Sequence, residues 1–411
     1  MLLNYIVTST LFFKFIKIFR FEFFVQLLPI PAGVILSRLL GPSDRGQLAE
    51  ILLIPSLLAT VISCNWDKFL KGEIINSRTN NNLIYEQTFY LYIAQIILVT
   101  FIAIIMNFFG LWAAFLTPLT ALLFSIIIVT LQLGSNYVVA ISSCALDSNI
   151  IYKYKLYGVT AYLFSVSLFL LNGTIGIYAA FATNQIVPLI SILLVFSLCN
   201  MTLLKLDFKF SFDFSFIIGK FKNLHYVLLD TISNSIDVLL MVKFASHGEV
   251  GAYLSFKILE FPFKLFNLSC VSLITPIFSD FTFKLVGFSK LIGVLFLTAF
   301  AFTGLFLPFL NKLIIYILGP DFIDYLWMIK FVITIGVIQN FYLLLLNFLI
   351  LNNNIIGYNR VVAFTSILRI LLSVILFVYF GVEGIFFSLI LSPIFAIFFI
   401  YYTKLLDNRP L

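Results

Sequence analysis

From Gln87 to Leu146 the chain carries no Asp, Glu, Lys or Arg. A helix crosses the hydrocarbon with about 20 apolar residues, so this run alone is long enough for two crossings and the turn between them. Further charge-free stretches run from Leu156 to Leu204, Leu291 to Asn311, Phe331 to Asn359 and Gly384 to Thr403. A membrane β-barrel would instead alternate apolar and polar positions in segments of about 10 residues, and no such segments occur. Composition agrees: 62% of residues are hydrophobic and 10% charged, with mean hydropathy +1.11, where a soluble domain carries roughly 25% charged residues. The expected class is an all-α polytopic membrane protein. Its net charge of +7 then reads as basic loops beside anionic lipid, with no nucleic-acid partner.

The first departure from an apolar run is LSRLLGPSDRG, Leu36 to Gly46. Displaced by 205 residues, about half the chain, Met241 to Gly251 reads MVKFASHGEVG, which sets Lys243 under Arg38, Glu249 under Asp44 and Gly251 under Gly46. An offset of half the length is what a duplication requires. Both segments are expected to be turns between apolar helices.

Taken in order, residues 1–20 hold Lys14, Lys17 and Arg20 among apolar positions and suit an interfacial cytoplasmic segment. The first span, near 21–40, contains Pro29, Pro31 and Gly33, so a break in its hydrogen-bond ladder is expected at mid-depth. Further spans are expected near 48–66, 87–108, 113–140, 155–172 and 175–200. Residues 205–223 form a basic linker. Six more spans are expected near 224–243, 251–277, 288–310, 325–350, 361–380 and 383–402. The parse is thus about 12 transmembrane helices in two six-helix lobes, 21–204 and 224–411.

Lys and Arg fall unevenly between the two sides. Lys68, Lys71, Arg78, Lys153, Lys155, Lys205, Lys209, Lys220, Lys222, Lys284, Lys290 and Arg360 share one side with the basic residues of both termini. Arg38, Arg45, Lys243 and Lys312 hold the other. The positive-inside bias makes both termini cytoplasmic, and the even span count makes the halves parallel repeats.

Little points to an enzyme. Cys64, Cys144, Cys199 and Cys270 are scattered in apolar surroundings, without disulfide or zinc spacing. His225 and His247 stand apart, so no metal site is expected, and no phosphate-binding glycine loop, HExxH or GxSxG is present. No catalytic residue and no cofactor is expected.

The run SRLLGPSDRG, the stretch SIDVLLMVKFASHGEVGAY from Ser235 to Tyr253, Pro276, and LGPDF from Leu318 to Phe322 resemble the multidrug/oligosaccharidyl-lipid/polysaccharide (MOP) exporter superfamily. The resemblance is to its Wzx-like polysaccharide flippases, and in span count and lobe layout it covers the whole chain. It implies MATE-like lobes around a cavity that opens alternately to each side. The implied activity is flipping of undecaprenyl-pyrophosphate-linked O-antigen or capsule repeat units across the bacterial inner membrane. The implied partners are the lipid-linked oligosaccharide and the polymerase and chain-length regulator of the same pathway. The membrane-buried Asp that serves cation coupling in the first span of some relatives has no counterpart here, where Glu22 lies near the cytoplasmic end. A drug or small-metabolite exporter of the same superfamily is the alternative. A membrane-embedded polymerase or glycosyltransferase fits less well, because no large outer loop is expected.

Charges inside the spans carry what chemistry there is, since each costs at least about 2.5–3.5 kcal/mol at a helix centre unless it faces protein or water. Asp237 and Lys257 stand equally far from His247 on either side, and so do Asp230 and Lys264. Adjacent antiparallel helices would bring each pair to one level. Lys257, Glu260 and Lys264 share one face of a regular α-helix. These residues read either as an ion-pair ladder or as a cavity wall whose lysines meet a pyrophosphate. Arg38 and Glu50 form a similar candidate pair across the first turn. Arg369, with no acid in its own span, needs a partner on another helix, backbone carbonyls or water. Its planar fork suits an oxyanion, and it is the leading candidate for the pyrophosphate, assisted by Lys257, Lys264 and Lys330. Among the aromatics, Tyr226 and Trp327 are candidates for stacking on sugar.

Overall fold

The structure, a computed structural model, describes residues 27–63, 81–109, 117–145, 148–173, 175–198, 224–261, 263–264, 309–351 and 355–407. Every regular element among them is helical. The helices are α1 (Pro29–Ser63), α2 (Asn81–Phe108), α3 (Pro118–Ala145), α4 (Ser148–Asn172), α5 (Ile177–Leu198), α6 (Leu224–Phe244), α7 (His247–Phe256), α8 (Phe309–Leu318), α9 (Met328–Leu351), α10 (Ile355–Phe380) and α11 (Val382–Asp407). A 3₁₀ turn, Lys257–Glu260, continues α7, and another, Pro320–Tyr325, precedes α9. Pro29–Ser63, Leu119–Tyr137, Met328–Asn347, Gly357–Phe380 and Val382–Ile400 are each long and apolar enough to cross a membrane. The chain is an all-α polytopic membrane protein. The segment 1–20, the linker 205–223 and most of the spans near 251–277 and 288–310 lie outside the described residues.

The first two expected spans are arms of one kinked helix. Within α1 only Gly41 leaves helical geometry, at φ 69° and ψ 177°, a region open essentially to glycine. Pro42 then starts the second arm, where its missing N–H costs nothing. The turn is therefore confined to Gly41, and Gly46, expected in a turn, is helical. The helix is interrupted at Leu28, between the helical Leu27 and Pro29, so Pro29 and Pro31 open the run Pro29–Ser63. The same device recurs at Leu318-Gly319-Pro320, where Gly319 has φ 110° and Pro320 opens the 3₁₀ turn. A Cβ on Gly41 would lie 3.8 Å from Asp321 Oδ2.

The segments 205 residues apart meet in the structure. Ser246, one repeat after Gly41, is the N-cap of α7, with its hydroxyl accepting from the Glu249 N–H and the Glu249 carboxylate accepting from the Ser246 N–H. This capping box satisfies two otherwise orphaned donors. A Cβ added at Gly46 would fall 1.9 Å from the His247 carbonyl oxygen, and one at Gly251 would fall 1.8 Å from that of Pro42. Pro42 and His247 are themselves one repeat apart, so the contact is reciprocal.

The described parts of Met1–Leu39 and Gln47–Leu228 make one compact unit, and those of Leu40–Gly46 and Leu229–Leu411 a second. In the first, Ala59, Val99, Val129 and Leu133 form a buried apolar cluster. Beside it, the Gln95 amide donates to the Ile62 carbonyl at 2.8 Å, the Tyr137 hydroxyl donates to Gln95 Oε1, and the Tyr92 hydroxyl donates to the Thr130 carbonyl at 3.0 Å. In the second unit α10 and α11 form a hairpin turned by Gly381. Ser373 and Ser388 share a hydrogen bond of 2.6 Å across it, both fully buried. Leu345, Leu346, Val361, Ala396 and Ile400 pack α9, α10 and α11 together.

At 100° per residue, α10 divides into two faces. Phe364, Ile367, Leu371, Val374, Ile375 and Val378 are exposed on one side, and Val361, Thr365 and Ser373 are buried on the other. Exposed apolar residues on a spanning helix are the surface that lipid covers. Tyr358 and Arg369 fall among the buried positions, within about 120° of arc.

Candidate functional site

Asp230, Asn234 and Asp237 lie one turn apart along α6, at i, i+4 and i+7, and so form a single stripe. Asp237 is 1% exposed. One of its oxygens, Oδ2, accepts from the Tyr253 hydroxyl at 2.5 Å and from Lys257 Nζ at 3.0 Å. Lys257 also sits 4.8 Å from the centre of the Tyr253 ring. The Asp237–Lys257 pair is the one that equal spacing from His247 implies. A buried carboxylate persists as an ion only when paired and hydrogen-bonded, and here the cation and the phenol do both.

The second expected rung is different. Lys264 Nζ lies 2.9 Å from Glu260 Oε2, within its own helix, and not on Asp230. The physical reason is the 3₁₀ turn at Lys257–Glu260. Four residues at 120° rather than 100° rotate Lys264 by about 80° from the direction that a regular α-helix would give it. Glu260 is 3% exposed, and Gly336 of α9 makes room for it: a Cβ there would lie 3.2 Å from Glu260 Cγ.

Arg369 reaches the α6 stripe from α10. Its Nη1 donates to Asn234 Oδ1 at 3.3 Å, and the Asn234 amide donates to Asp230 Oδ1 at 3.0 Å. The guanidinium also acts electrostatically on Asp237. Among the described residues it forms no ion pair within 4.0 Å, in contrast to Lys257 and Lys264. Three buried polar atoms in this region have no hydrogen-bond partner among the described residues: Asp237 Oδ1, Glu260 Oε1 and Arg369 Nε.

The remaining candidates lie elsewhere. Lys330 is exposed near the start of α9, 5.1 Å from the centre of the Phe331 ring, and no hydrogen bond or ion pair joins it to Arg369 among the described residues. Arg38 is exposed on the first arm of α1 and Glu50 is half-buried on the second. Trp327 packs edge-on against Phe331 and Phe386. The side chain of Tyr226 is outside the described set. Asn234 and Tyr253, absent from the expected set, are the residues that connect the cluster. Asn234 shares the i, i+4, i+7 spacing of the two acids but is set beside Arg369 only by packing, and Tyr253 looks like one aromatic among many. No group of His, Cys, Asp and Glu suited to a metal occurs among the described residues.

Solved structures similar to this chain are transporters of one architecture. The lipid II flippase MurJ, in an inward closed conformation, aligns with TM-score 0.70 and 14% identity over 95% of this chain and 87% of its own. An inward-facing multidrug resistance MATE family transporter of the MOP superfamily aligns with TM-score 0.65 and 14% identity, covering 94% and 96%. A MOP superfamily transporter from Pyrococcus furiosus, whose binding pocket has reversed polarity, aligns with TM-score 0.57 and 13% identity, covering 95% and 93%. No family model and no curated protein matches the sequence. The chain has the MOP-type transporter fold.

Proposed function

We propose that this chain is a flippase that moves undecaprenyl-pyrophosphate-linked oligosaccharide repeat units from the cytoplasmic to the periplasmic leaflet of a bacterial inner membrane by alternating access. Its two six-helix lobes, 21–204 and 224–411, are joined by the cytoplasmic linker 205–223, and both termini are cytoplasmic. The observation that carries the reading is Arg369. It is a permanent cation on the protein-facing side of a spanning helix, held by the neutral Asn234 rather than by a carboxylate, with Nε buried and unpartnered. A guanidinium in that setting keeps donors for an oxyanion. Lys257 and Lys264 are committed to Asp237 and Glu260, so they reach a pyrophosphate only if those pairs open. The similarity to a lipid II flippase supports a lipid-linked substrate, and the pathway's polymerase and chain-length regulator are the fitting partners.

The multidrug relative raises a second reading, export of a small metabolite or drug. A cationic drug needs an acid free to take it. Here the two buried acids already hold lysines, which favours the anionic lipid carrier.

The test is complementation of a strain lacking this gene. Arg369→Gln abolishes surface polysaccharide at normal membrane levels of the protein, and Arg369→Lys restores part of it. Full export by the Gln variant would remove Arg369 from the site.

A further inference from the structure

Three pieces of chain meet where Gly46 and Gly251 cross: the elbow of α1, the first turn of α7 and the 3₁₀ turn Pro320–Tyr325. The elbow, Leu40–Gly46, belongs to the second compact unit, although the arms on either side of it, 29–39 and 47–63, belong to the first. At Gly46 and Gly251 main chain lies against main chain. Glycine allows that close approach and brings no side chain to hold it.

The 3₁₀ turn supplies side chains at the same place. Phe322 is 0% exposed, and its ring centre lies 6.0 Å from that of Phe256 of α7, also 0% exposed. The Tyr325 hydroxyl covers Gly248 so closely that a Cβ there would fall 2.1 Å from it. Asp321 turns toward the elbow, its Oδ2 lying 3.8 Å from where a Cβ on Gly41 would stand. Gly41 directly precedes the second arm of α1, where orphaned N–H groups and the helix dipole favour a negative charge. The turn therefore grips α7 with two aromatic rings and meets the elbow with one carboxylate.

Its two ends differ. At Gly319, with φ 110°, a Cβ would meet nothing within 4 Å, so the chain there has room to swivel. At the other end Trp327 packs on Phe331 and Phe386, and Met328 is 0% exposed. Backbone bonds at the ends of the turn are long, 3.5 Å from the Phe322 N–H to the Gly319 carbonyl and 3.3 Å from the Leu326 N–H to the Ile323 carbonyl, against about 2.9–3.0 Å for an ordinary bond. Pro320, Asp321, Ile323 and Asp324 are exposed. A short exposed segment with poor rungs opens more readily than the helices beside it, and Phe322 is its main anchor.

We propose that Pro320–Tyr325 is a latch. Seated, it rides on α7 through Phe322 and Tyr325 and keeps the α1 elbow in place through Asp321. Lifted about Gly319, it lets the elbow part from Gly251. The latch acts whatever the cargo, so it stands apart from the reading of Arg369.

The experiment measures labelling by a membrane-impermeant thiol reagent in the full chain in lipid nanodiscs, with Cys64, Cys144, Cys199 and Cys270 replaced by Ala. The reporter is Ser255→Cys, a near-isosteric change at a residue that is 2% exposed and lies one turn after Gly251 on the same face of α7. The control is Ser388→Cys in the α10–α11 hairpin, where the serine is 0% exposed. Burial of an aromatic ring is worth more than a factor of about ten in an equilibrium, so Phe322→Ala should speed reporter labelling about tenfold or more and leave the control protected. Gly248→Ala suits a helix better than glycine does, but its Cβ expels the Tyr325 hydroxyl, so it too should speed labelling. Tyr325→Phe in that background removes the clashing atom and should restore protection. Asp321→Asn should speed labelling by about twofold to fivefold, the scale of a charge at a helix N-terminus. Reporter labelling unchanged by Phe322→Ala and Gly248→Ala would overturn the latch. So would control labelling that rises in step with the reporter, since the turn would then be general packing. Failure of Tyr325→Phe to rescue Gly248→Ala, or no change with Asp321→Asn, would break the link from the turn to α7 or to the elbow, and the proposal with it.

Discussion

Gly46 and Gly251 occupy reciprocal places in one helix crossing, the first against the carbonyl of His247 and the second against the carbonyl of Pro42. Neither position has room for a methyl group, because the oxygen it would meet belongs to main chain that cannot rotate away. Gly46→Ala and Gly251→Ala should each force the helices apart, at a cost of about 1–3 kcal/mol as for other overpacked cores. Thermal unfolding in detergent checks this. A substitution at either glycine that leaves the midpoint unchanged would mean that the crossing gives way cheaply.

Asp237 and Lys257 should behave as a coupled pair. Removing Lys257 strands the buried Asp237 charge, which costs about 3–5 kcal/mol, while removing Asp237 leaves a lysine that is 30% exposed and costs less, and replacing both with apolar groups is close to neutral. Lys257→Met should therefore destabilise the protein strongly and Asp237→Leu less, and the double variant should recover most of the Lys257→Met loss. Tyr253→Phe removes one of the two hydrogen bonds that Asp237 accepts, at a smaller cost of about 1.5–3 kcal/mol. Additive single-variant losses in the double-mutant cycle would show that the pair is not coupled.

Ser373 and Ser388 test how the α10–α11 hairpin is held. Interhelical hydrogen bonds in membranes contribute about 1 kcal/mol or less, so Ser388→Ala should have a small effect. Ser388→Leu should have a large one, since the residue is 0% exposed and Gly384 nearby already faces the Leu376 carbonyl at 2.0 Å from where its Cβ would stand. Expression and unfolding of the two variants compare bulk with bonding directly.

Topology can be read with reporter fusions. Those after Asn80, Asp207 and Asn408 should report cytoplasm, and those after Asp44 and His247 should report periplasm. A periplasmic signal after Asp207 would break the six-plus-six arrangement.

What the sequence discloses and what it hides divide along physical lines. Long charge-free runs specify spanning helices, and the helices at Asn81–Phe108, Met328–Leu351 and Val382–Asp407 follow the runs closely. Equal spacing from His247 located the partner of Asp237, because α6 and α7 are regular helices between those points. It misplaced Lys264, because the change from α to 3₁₀ geometry at Lys257 leaves no mark in a run of Lys, Ile, Leu and Glu. The prolines of α1 marked the interruption at Leu28, because a proline has no N–H to carry the helical ladder across that turn. Gly46 read as a turn residue because glycine serves tight turns and close helix contacts equally well. Arg369 was conspicuous as a lone cation, but its neighbour Asn234 depended on which face of α6 meets α10, and that is decided by tertiary packing.

The reciprocity of Pro42 with Gly251 and Gly46 with His247 has the form of an isologous dimer interface, in which residue i meets j and j meets i. Folded into one polypeptide, such an interface no longer obliges its two copies to stay alike. One repeat before Asp237, Tyr253 and Lys257 stand Ala32, Leu48 and Leu52, and Ala32 and Leu48 are fully buried. At these positions, 205 residues apart, one stretch is apolar and buried while the other carries charge, so the crossing at the glycines is symmetric where the polar cluster is not.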